Sequence, residues 1–538
     1  MSNQYQIGNY EETYKSFTLN VPDRYNWTYE VFDKWANDRQ KIAMYWVNDQ
    51  NNLRKITFSD FSDRSKKVAN LLVGLGLSEG DRVFTMLPRL VEWWEIMLGC
   101  IRANIVSVPG TTLLTPKDLA YRINIADIKV AFTDSENFEK LESIQKHCPS
   151  LEKIIVVGSN SGFGEYEDLL HKSSTDFANP QNYSSDPLML YFTSGTTGHP
   201  KMVLNTHSSY PIGHYITGRY WLDNRPTDVH WTLSDTGWAQ AAWTCFFAPW
   251  NMGAAIFIAD HRGRFDPELT LKMFVDHPIS TFFAPPTAYR MMVQENLSKI
   301  HPQSLRHCVG AGEAVTPELI QVWKSDMGQQ IWEGYGQTET VLCTATFPGM
   351  KYKPGSMGVV APGFNMGILD SYGNEIIDGS EGDLAIKMSP EKPVGVFKEY
   401  WRNPEANLES FKGDWYYTGD RASRDEDGYY WFVGRADDVI ISASYRIGPF
   451  EVESALAEHP SVVESAVIGI PDKVRGQIVK AFIVLAEGFE PSDVLIKEIQ
   501  NHVRTTTAPY KYPRLKEFVE ELPKTISGKI KRAELRNQ

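Results

Sequence analysis

The chain of 538 residues is poor in cysteine, and Cys100, Cys148, Cys245, Cys308 and Cys343 stand far apart. No C-x-x-C pair occurs, which argues against a zinc site and a disulfide framework and points to a reducing compartment. Long apolar runs are missing too. The most apolar stretch, TCFFAPWNMGAAIFIAD (244–260), is broken by Pro249, Asn251 and Gly253. It falls short of the ~20 residues of a spanning helix and reads as core. There is no excess of basic charge: 54 Lys and Arg stand against 67 Asp and Glu, a net charge of −13. That disfavours general nucleic-acid binding. The opening residues, MSNQYQIGNYEETYKSF, have neither the apolar centre of a signal peptide nor the arginine-rich, acid-poor composition of a transit peptide. The expectation is a cytoplasmic protein.

What the chain does have is a globular composition, 42% hydrophobic and 22% charged, with length enough for a large core. Helical and strand patterns alternate. DRVFTMLP (81–88), IVSVPG (105–110), KVAFTD (129–134) and KIIVVG (153–158) read as buried strands, and EWWEIMLGCIRAN (92–104) as a helix. Such alternation argues for parallel sheets covered by helices. Near residue 435 the pattern changes, and the last hundred or so residues read as a small α+β unit. The expected architecture is a large N-terminal α/β domain, 1–436, with several parallel or mixed sheets, plus a small mobile C-terminal α+β domain, 437–538.

Residues 191–201, YFTSGTTGHPK, follow a short apolar strand, Leu188–Phe192. The stretch has the hydroxyls, glycines and lysine of a phosphate loop. It is not a Walker A motif, because His199 and Pro200 separate Gly198 from Lys201. Consecutive small turn residues can still turn several backbone N–H groups into an anion-binding concavity. Four further pieces come in order: EGYGQTET (333–340), WYYTGD (415–420), GRADDVI (434–440) and PKTISGKIKR (523–532). They offer an aromatic face for a base in Tyr335, a carboxylate for magnesium in Glu339, an acceptor for ribose hydroxyls in Asp420 and a cation in Lys529.

In this order the motifs resemble those of the adenylate-forming superfamily: acyl-CoA synthetases, peptide-synthetase adenylation domains and luciferases. The resemblance runs over nearly the whole chain. At 88–123, at SDTGWAQAAW (234–243) and at YRIGPFEVESAL (445–456) it looks like the medium-chain acyl-CoA synthetase branch. The resemblance implies that ATP and a carboxylic acid form acyl-AMP and pyrophosphate, and that the acyl group then passes to coenzyme A. Thr193, Ser194, Gly195, Thr196, Thr197, Gly198 and Lys201 would hold the pyrophosphate. Gly312 and Glu313 would border the adenine pocket, and Tyr335 would stack on the base. Thr338 would approach the α-phosphate, and Glu339 would help hold Mg2+. Asp420, assisted by Arg435, would take the ribose, with Arg446 near the phosphates. Lys529 would be the catalytic lysine of the first step. The 443–448 segment would face CoA in the second, after rotation about a hinge at Asp437.

One departure concerns the thiol acceptor: Ser444 stands before Tyr445 where relatives have glycine. Another concerns the acid. Acetyl- and propionyl-CoA synthetases place tryptophan just before the QTE, and this chain has Gly336. A missing indole leaves room for several methylenes, each worth about 0.8 kcal/mol when buried. The expected acid is therefore medium-chain, branched or aromatic, with Trp238 among the wall residues unless another side chain fills the space above Gly336. Two other readings remain: a ligase that loads a carrier protein, and a non-catalytic adenylate-binding protein. The partners expected are small molecules, with no nucleic acid and no membrane span.

Overall fold

A computed structural model describes residues 9–158, 165–193, 200–313, 315–377, 379–436, 438–442, 445–472, 475–507, 511–524 and 529–536. Among these residues the strands form four sheets. In the first, Ile331–Tyr335, His307–Gly310, Thr281–Ala284, Val229–Thr232, Ala255–Asp260 and Ile42–Asn48 run parallel in that spatial order. In the second, Val106–Pro109, Arg82–Met86, Ile128–Asp134 and Lys153–Val157 are parallel. Strands buried on both faces read as continuous apolar runs, and Ala255–Asp260 is buried at every position.

The helices between them start where their caps predict. Thr57 and Asp60 form a reciprocal capping box at the start of Phe58–Gly74, as Thr115 and Asp118 do at Pro116–Ile125. That pairing satisfies two otherwise orphaned backbone groups. Helix Val91–Arg102 is buried at every position but Glu92, which explains its two tryptophans. The 244–260 stretch is core: a π-helical turn, Trp243–Phe247, runs into Ala248–Asn251 and then into the strand Ala255–Asp260. No described helix is long and apolar enough to cross a membrane. All five cysteines are buried and free.

The third sheet is antiparallel and carries Met366–Leu369, Gly382–Lys387, Trp415–Arg424 and Tyr430–Arg435. The fourth belongs to a smaller C-terminal domain with its own apolar core, which includes Ile440, Val452, Leu456, Val467, Ile483 and Ile499. The large and small domains touch where Phe450 meets Phe432 edge to face, 5.9 Å between ring centres. There Gly448 also lies so close to the Val433 carbonyl that a Cβ would come within 2.3 Å of it.

Candidate active site

The glycine loop was expected after a parallel strand, and the structure refines this. Its strand, Pro187–Thr193, is parallel to Val106–Pro109, but the loop closes an antiparallel hairpin in which Thr193 faces Lys201. Ser194, Gly195, Thr196, Thr197 and Gly198 lie outside the described residues, so only the two ends of the loop are placed. Lys201 lies 4.8 Å from the centre of the Tyr400 ring. Tyr400 in turn donates its hydroxyl to Glu339 Oε1 at 2.8 Å. One end of the loop and the expected magnesium carboxylate are thus joined through Tyr400.

The EGYGQTET segment spans the end of the parallel strand Ile331–Tyr335 and the turn after it. The turn is held by Thr340, whose Oγ1 accepts from the Gln337 amide at 2.9 Å. Tyr210 donates to the Thr338 carbonyl at 2.8 Å, and the Phe397 amide donates to the Glu339 carbonyl at 2.7 Å. Glu339 therefore sits on a backbone fixed from both sides. Burial raises its carboxyl pKa above the ordinary value, while the Tyr400 hydroxyl, Arg435 and Lys201 pull the other way.

Asp420 and Arg435 face each other on adjacent antiparallel strands. Asp420 is 5% exposed, and both its carboxylate oxygens are engaged. Oδ1 accepts from Arg435 Nη1 at 3.0 Å. Oδ2 accepts from the Tyr335 hydroxyl at 2.6 Å and from Gln337 Nε2 at 2.7 Å. Gln337 also donates to the Thr418 carbonyl at 2.9 Å and accepts from the Tyr416 hydroxyl at 3.3 Å. The expected base-stacking and ribose-binding residues thus meet directly. Gln337, Tyr400 and Tyr416 had no role assigned from sequence. Gln337 and Tyr416 lie inside quoted motifs, EGYGQTET and WYYTGD, and could have been suspected; Tyr400 carries no such signal.

Gly312 follows the strand His307–Gly310, whose neighbour in the sheet is Ile331–Tyr335. Its φ of +97° is a backbone conformation that favours glycine. Glu313 accepts from Arg290 Nη2 at 3.0 Å and from Thr287. Nearby, the carboxyl of Glu333 is 4% exposed and accepts from the Gly355 amide at 2.9 Å. Burial pushes its pKa up to about 8, against the pull of the Gly355 and Val315 amides.

The remaining expected residues are less gathered. Trp238 is half-buried and caps the helix Ala239–Ala242. Tyr445 and Arg446 lie on the strand Tyr445–Ile447, while Asp437 and Ser444 fall outside the described residues. Lys529 is exposed, on a loop whose base is closed by pairing of Lys524 with Ile530.

The space argument at Gly336 needs correction. A Cβ there would lie 2.4 Å from Cη2 of Trp243 and 2.6 Å from the Val341 carbonyl oxygen. The space above this glycine is filled by an indole from elsewhere in the chain, so the room counted for methylenes is not simply free. Trp243 is 4% exposed, donates to the Tyr210 hydroxyl at 3.2 Å and packs 5.0 Å from the His214 ring.

Comparisons with known proteins agree with this geometry. Residues 31–401 match the AMP-binding enzyme family, and residues 451–529 match the AMP-binding enzyme C-terminal domain. The chain is 45% identical to the mitochondrial acyl-coenzyme A synthetase ACSM3 of Homo sapiens, over 99% of this chain and 92% of that protein. It is also 45% identical to human mitochondrial ACSM5, over 96% of this chain and 91% of that one. Among solved structures it resembles the anthranilate CoA ligase AuaEII in complex with anthranoyl-AMP: TM-score 0.88, 31% identity, 96% of this chain and 98% of that chain. These relatives overturn the expectation of a cytoplasmic protein, since the curated ones are mitochondrial enzymes. Free buried cysteines fit any reducing compartment and could not tell one from another. With both family matches in their expected order, the chain belongs to the AMP-binding enzyme family and is an acyl-CoA synthetase that joins a carboxylic acid to coenzyme A with ATP through an acyl-AMP.

Proposed function

We propose that the acid is medium-chain, branched or aromatic, and that the cluster around Asp420 and Glu339 is where it is adenylated. The observation that carries the reading is the joining of Tyr335, Gln337, Asp420 and Arg435 into one hydrogen-bonded group. Arg435 and Lys201 both act electrostatically on Glu339 within the same site. A buried carboxylate fixed by three donors is a preorganised acceptor for a nucleoside. Because Oδ2 already accepts two donors, a ribose hydroxyl replaces one of them on binding, and Tyr335 is then released to stack on the base.

The residues around the phosphates supply charge and position. Thr193, Ser194, Gly195, Thr196, Thr197, Gly198 and Lys201 hold the departing pyrophosphate. Thr338 meets the α-phosphate, and Arg446 serves the phosphates. Gly312 and Glu313 border the adenine. Glu339 fits a magnesium ion, which takes one or two carboxylates together with phosphate oxygens and water; the ion supplies neutralisation of phosphate charge. Lys529 brings a cation to the acid's carboxylate and the α-phosphate. Because it lies on the small domain, that domain turns about Asp437, the boundary between 1–436 and 437–538. It then presents Ser444 and Tyr445 to CoA.

Support for the acid class comes from the relatives and from the pocket wall. The solved neighbours include an anthranilate CoA ligase and, at TM-score 0.83 and 26% identity, a benzoate CoA ligase from Burkholderia xenovorans. Trp243 over Gly336, with Trp238, forms the wall that selects among acids. The test is pyrophosphate release with ATP, magnesium and CoA across acids from acetate to octanoate, with isobutyrate and benzoate, beside Lys529→Ala. Turnover should peak beyond propionate and fall at least about 100-fold in the variant, as expected for loss of a transition-state electrostatic partner. A peak at acetate would overturn the acid class. A variant that keeps its rate would overturn the role of Lys529.

A further inference from the structure

We propose that Arg532 is a positioning residue that fastens the loop carrying Lys529 to Asp438, the residue after the expected hinge, so that rotation at the hinge is transmitted to the lysine. The inference rests on the reading that Lys529 serves the adenylation step.

The geometry is that of a node. Arg532 opens the short helix Arg532–Arg536, three residues beyond Lys529. Its Nη2 donates to both carboxylate oxygens of Glu453, at 2.6 and 2.7 Å. Its Nε donates to the Val467 carbonyl at 3.3 Å, and its Nη1 stands 3.7 Å from Asp438 Oδ2. Arg536 pairs with the other oxygen of Asp438. Glu453 lies on the helix Pro449–Ala457 and also accepts from the Val467 amide at 2.7 Å. One guanidinium therefore ties together the chain entering the small domain, its first helix, its long strand Val462–Asp472 and the segment after Lys529.

The loop itself is closed at its base. Lys531 donates its amide to the Pro523 carbonyl at 2.8 Å, and Lys524 pairs with Glu464 at 2.8 Å. Below it, Leu535 is buried with Ala466, Ile468, Phe482 and Leu522. The segment 529–536, braced in this way, moves with whatever holds Arg532. A lysine cannot reproduce the node, because one ammonium cannot reach Glu453, the Val467 carbonyl and Asp438, which Arg532 meets with three separate nitrogens. Burial weakens the charged state of Arg532, but Glu453, Asp438 and, from the large domain, Glu313 more than restore it.

The half-reactions separate positioning from simple stability. Asp438→Asn removes the charge that pairs with Arg532 and Arg536 on the hinge side and leaves the Glu453 contacts intact; Arg532→Lys weakens both. Step one is read as acid-dependent exchange of labelled pyrophosphate into ATP. Step two is read as thioester formation from preformed acyl-AMP and CoA. Both variants should slow step one about 10-fold or more, the scale set by misplacing a catalytic group by about 1 Å. Step two and the KM for ATP should stay within about twofold, with Tm nearly unchanged in Asp438→Asn. Adding Asp438→Asn to Lys529→Ala should cost step one nothing further. Parallel losses in both steps, an unchanged step one, or additive losses in the double variant would each overturn the proposal. If Lys529→Ala alone keeps step one, the assignment of the lysine fails, and this inference falls with it.

Discussion

Replacing Gly336 by alanine tests the packing argument at the acid site directly. The new Cβ would stand 2.4 Å from Cη2 and 3.1 Å from Cζ3 of Trp243, and 2.6 Å from the Val341 carbonyl oxygen. Carbon pairs rest at about 3.5–4.0 Å, so the indole edge has to retreat by about 1 Å or more. The carbonyl cannot give way cheaply, because the Val341 amide is already bonded to Gly395 at 2.8 Å. Overpacking of this kind costs about 1–3 kcal/mol. Retreat of the ring also strains the bond from Trp243 to Tyr210, worth about 0.5–1.5 kcal/mol net. Tyr210 in turn holds the Thr338 carbonyl, so the shift reaches the residue proposed to meet the α-phosphate. Thermal or denaturant unfolding of Gly336→Ala should show a loss of about 2–4 kcal/mol from these two terms. Turnover should fall with every acid. In Trp243→Ala the same glycine substitution should cost less, because only the Val341 carbonyl is still struck, giving a coupling energy of about 0.5–3 kcal/mol between the two sites. Additive effects in the double variant, or a Gly336→Ala enzyme as stable and active as the parent, would refute the reasoning.

Asp420→Asn leaves an amide –NH2 facing one of the donors from Tyr335, Gln337 or Arg435. It also removes the charged acceptor proposed for the ribose, and hydrogen bonds to charged groups are worth about 1.5–3 kcal/mol, so the KM for ATP should rise about 10- to 100-fold with the KM for CoA unchanged. An unchanged ATP KM would dismiss Asp420 as a nucleotide residue. For Glu333, the folded carboxyl titrates at about 8 and the unfolded one near 4.5, so the native state holds the extra proton in between. Wild-type stability should therefore fall as pH rises from about 5 to 8, by at most about 1.4 kcal/mol per unit. Glu333→Gln removes that slope, and its Tm relative to the parent should climb across this window and level off above it; a constant offset would contradict the burial argument.

Much of the fold was legible because buried parallel strands write themselves as short apolar runs. KVAFTD became Ile128–Asp134 and KIIVVG became Lys153–Val157, each within a residue or two. The small domain was legible for the same reason, and its core from Ile440 to Val503 is a cluster of its own. The motifs were legible as chemistry because hydroxyl, carboxylate and cation occur at fixed places in short stretches. Their assembly was not. Tyr335 and Asp420 are 85 residues apart, and the bond between them depends on an antiparallel sheet folding back over the end of a parallel one. Pattern reading finds such strands without saying which edges meet.

The error at Gly336 shows where one-residue reasoning stops. Volume in a core is shared, so a glycine where acetyl- and propionyl-CoA synthetases are expected to carry an indole says only that this backbone contributes nothing to the wall. Whether space remains depends on what arrives from other elements, and here Trp243 arrives from the helical segment after SDTGW. In sequence, a tryptophan at the end of SDTGWAQAAW reads as ordinary helical core and signals no such role. The close contact gives the glycine a different cause: any side chain at 336 would strike the ring or the Val341 carbonyl. If Trp243 walls the acid site as proposed, variants at Trp243, at Tyr210, which accepts its hydrogen bond, and at His214, which packs on its ring, should move the acid profile more than any small residue placed at 336.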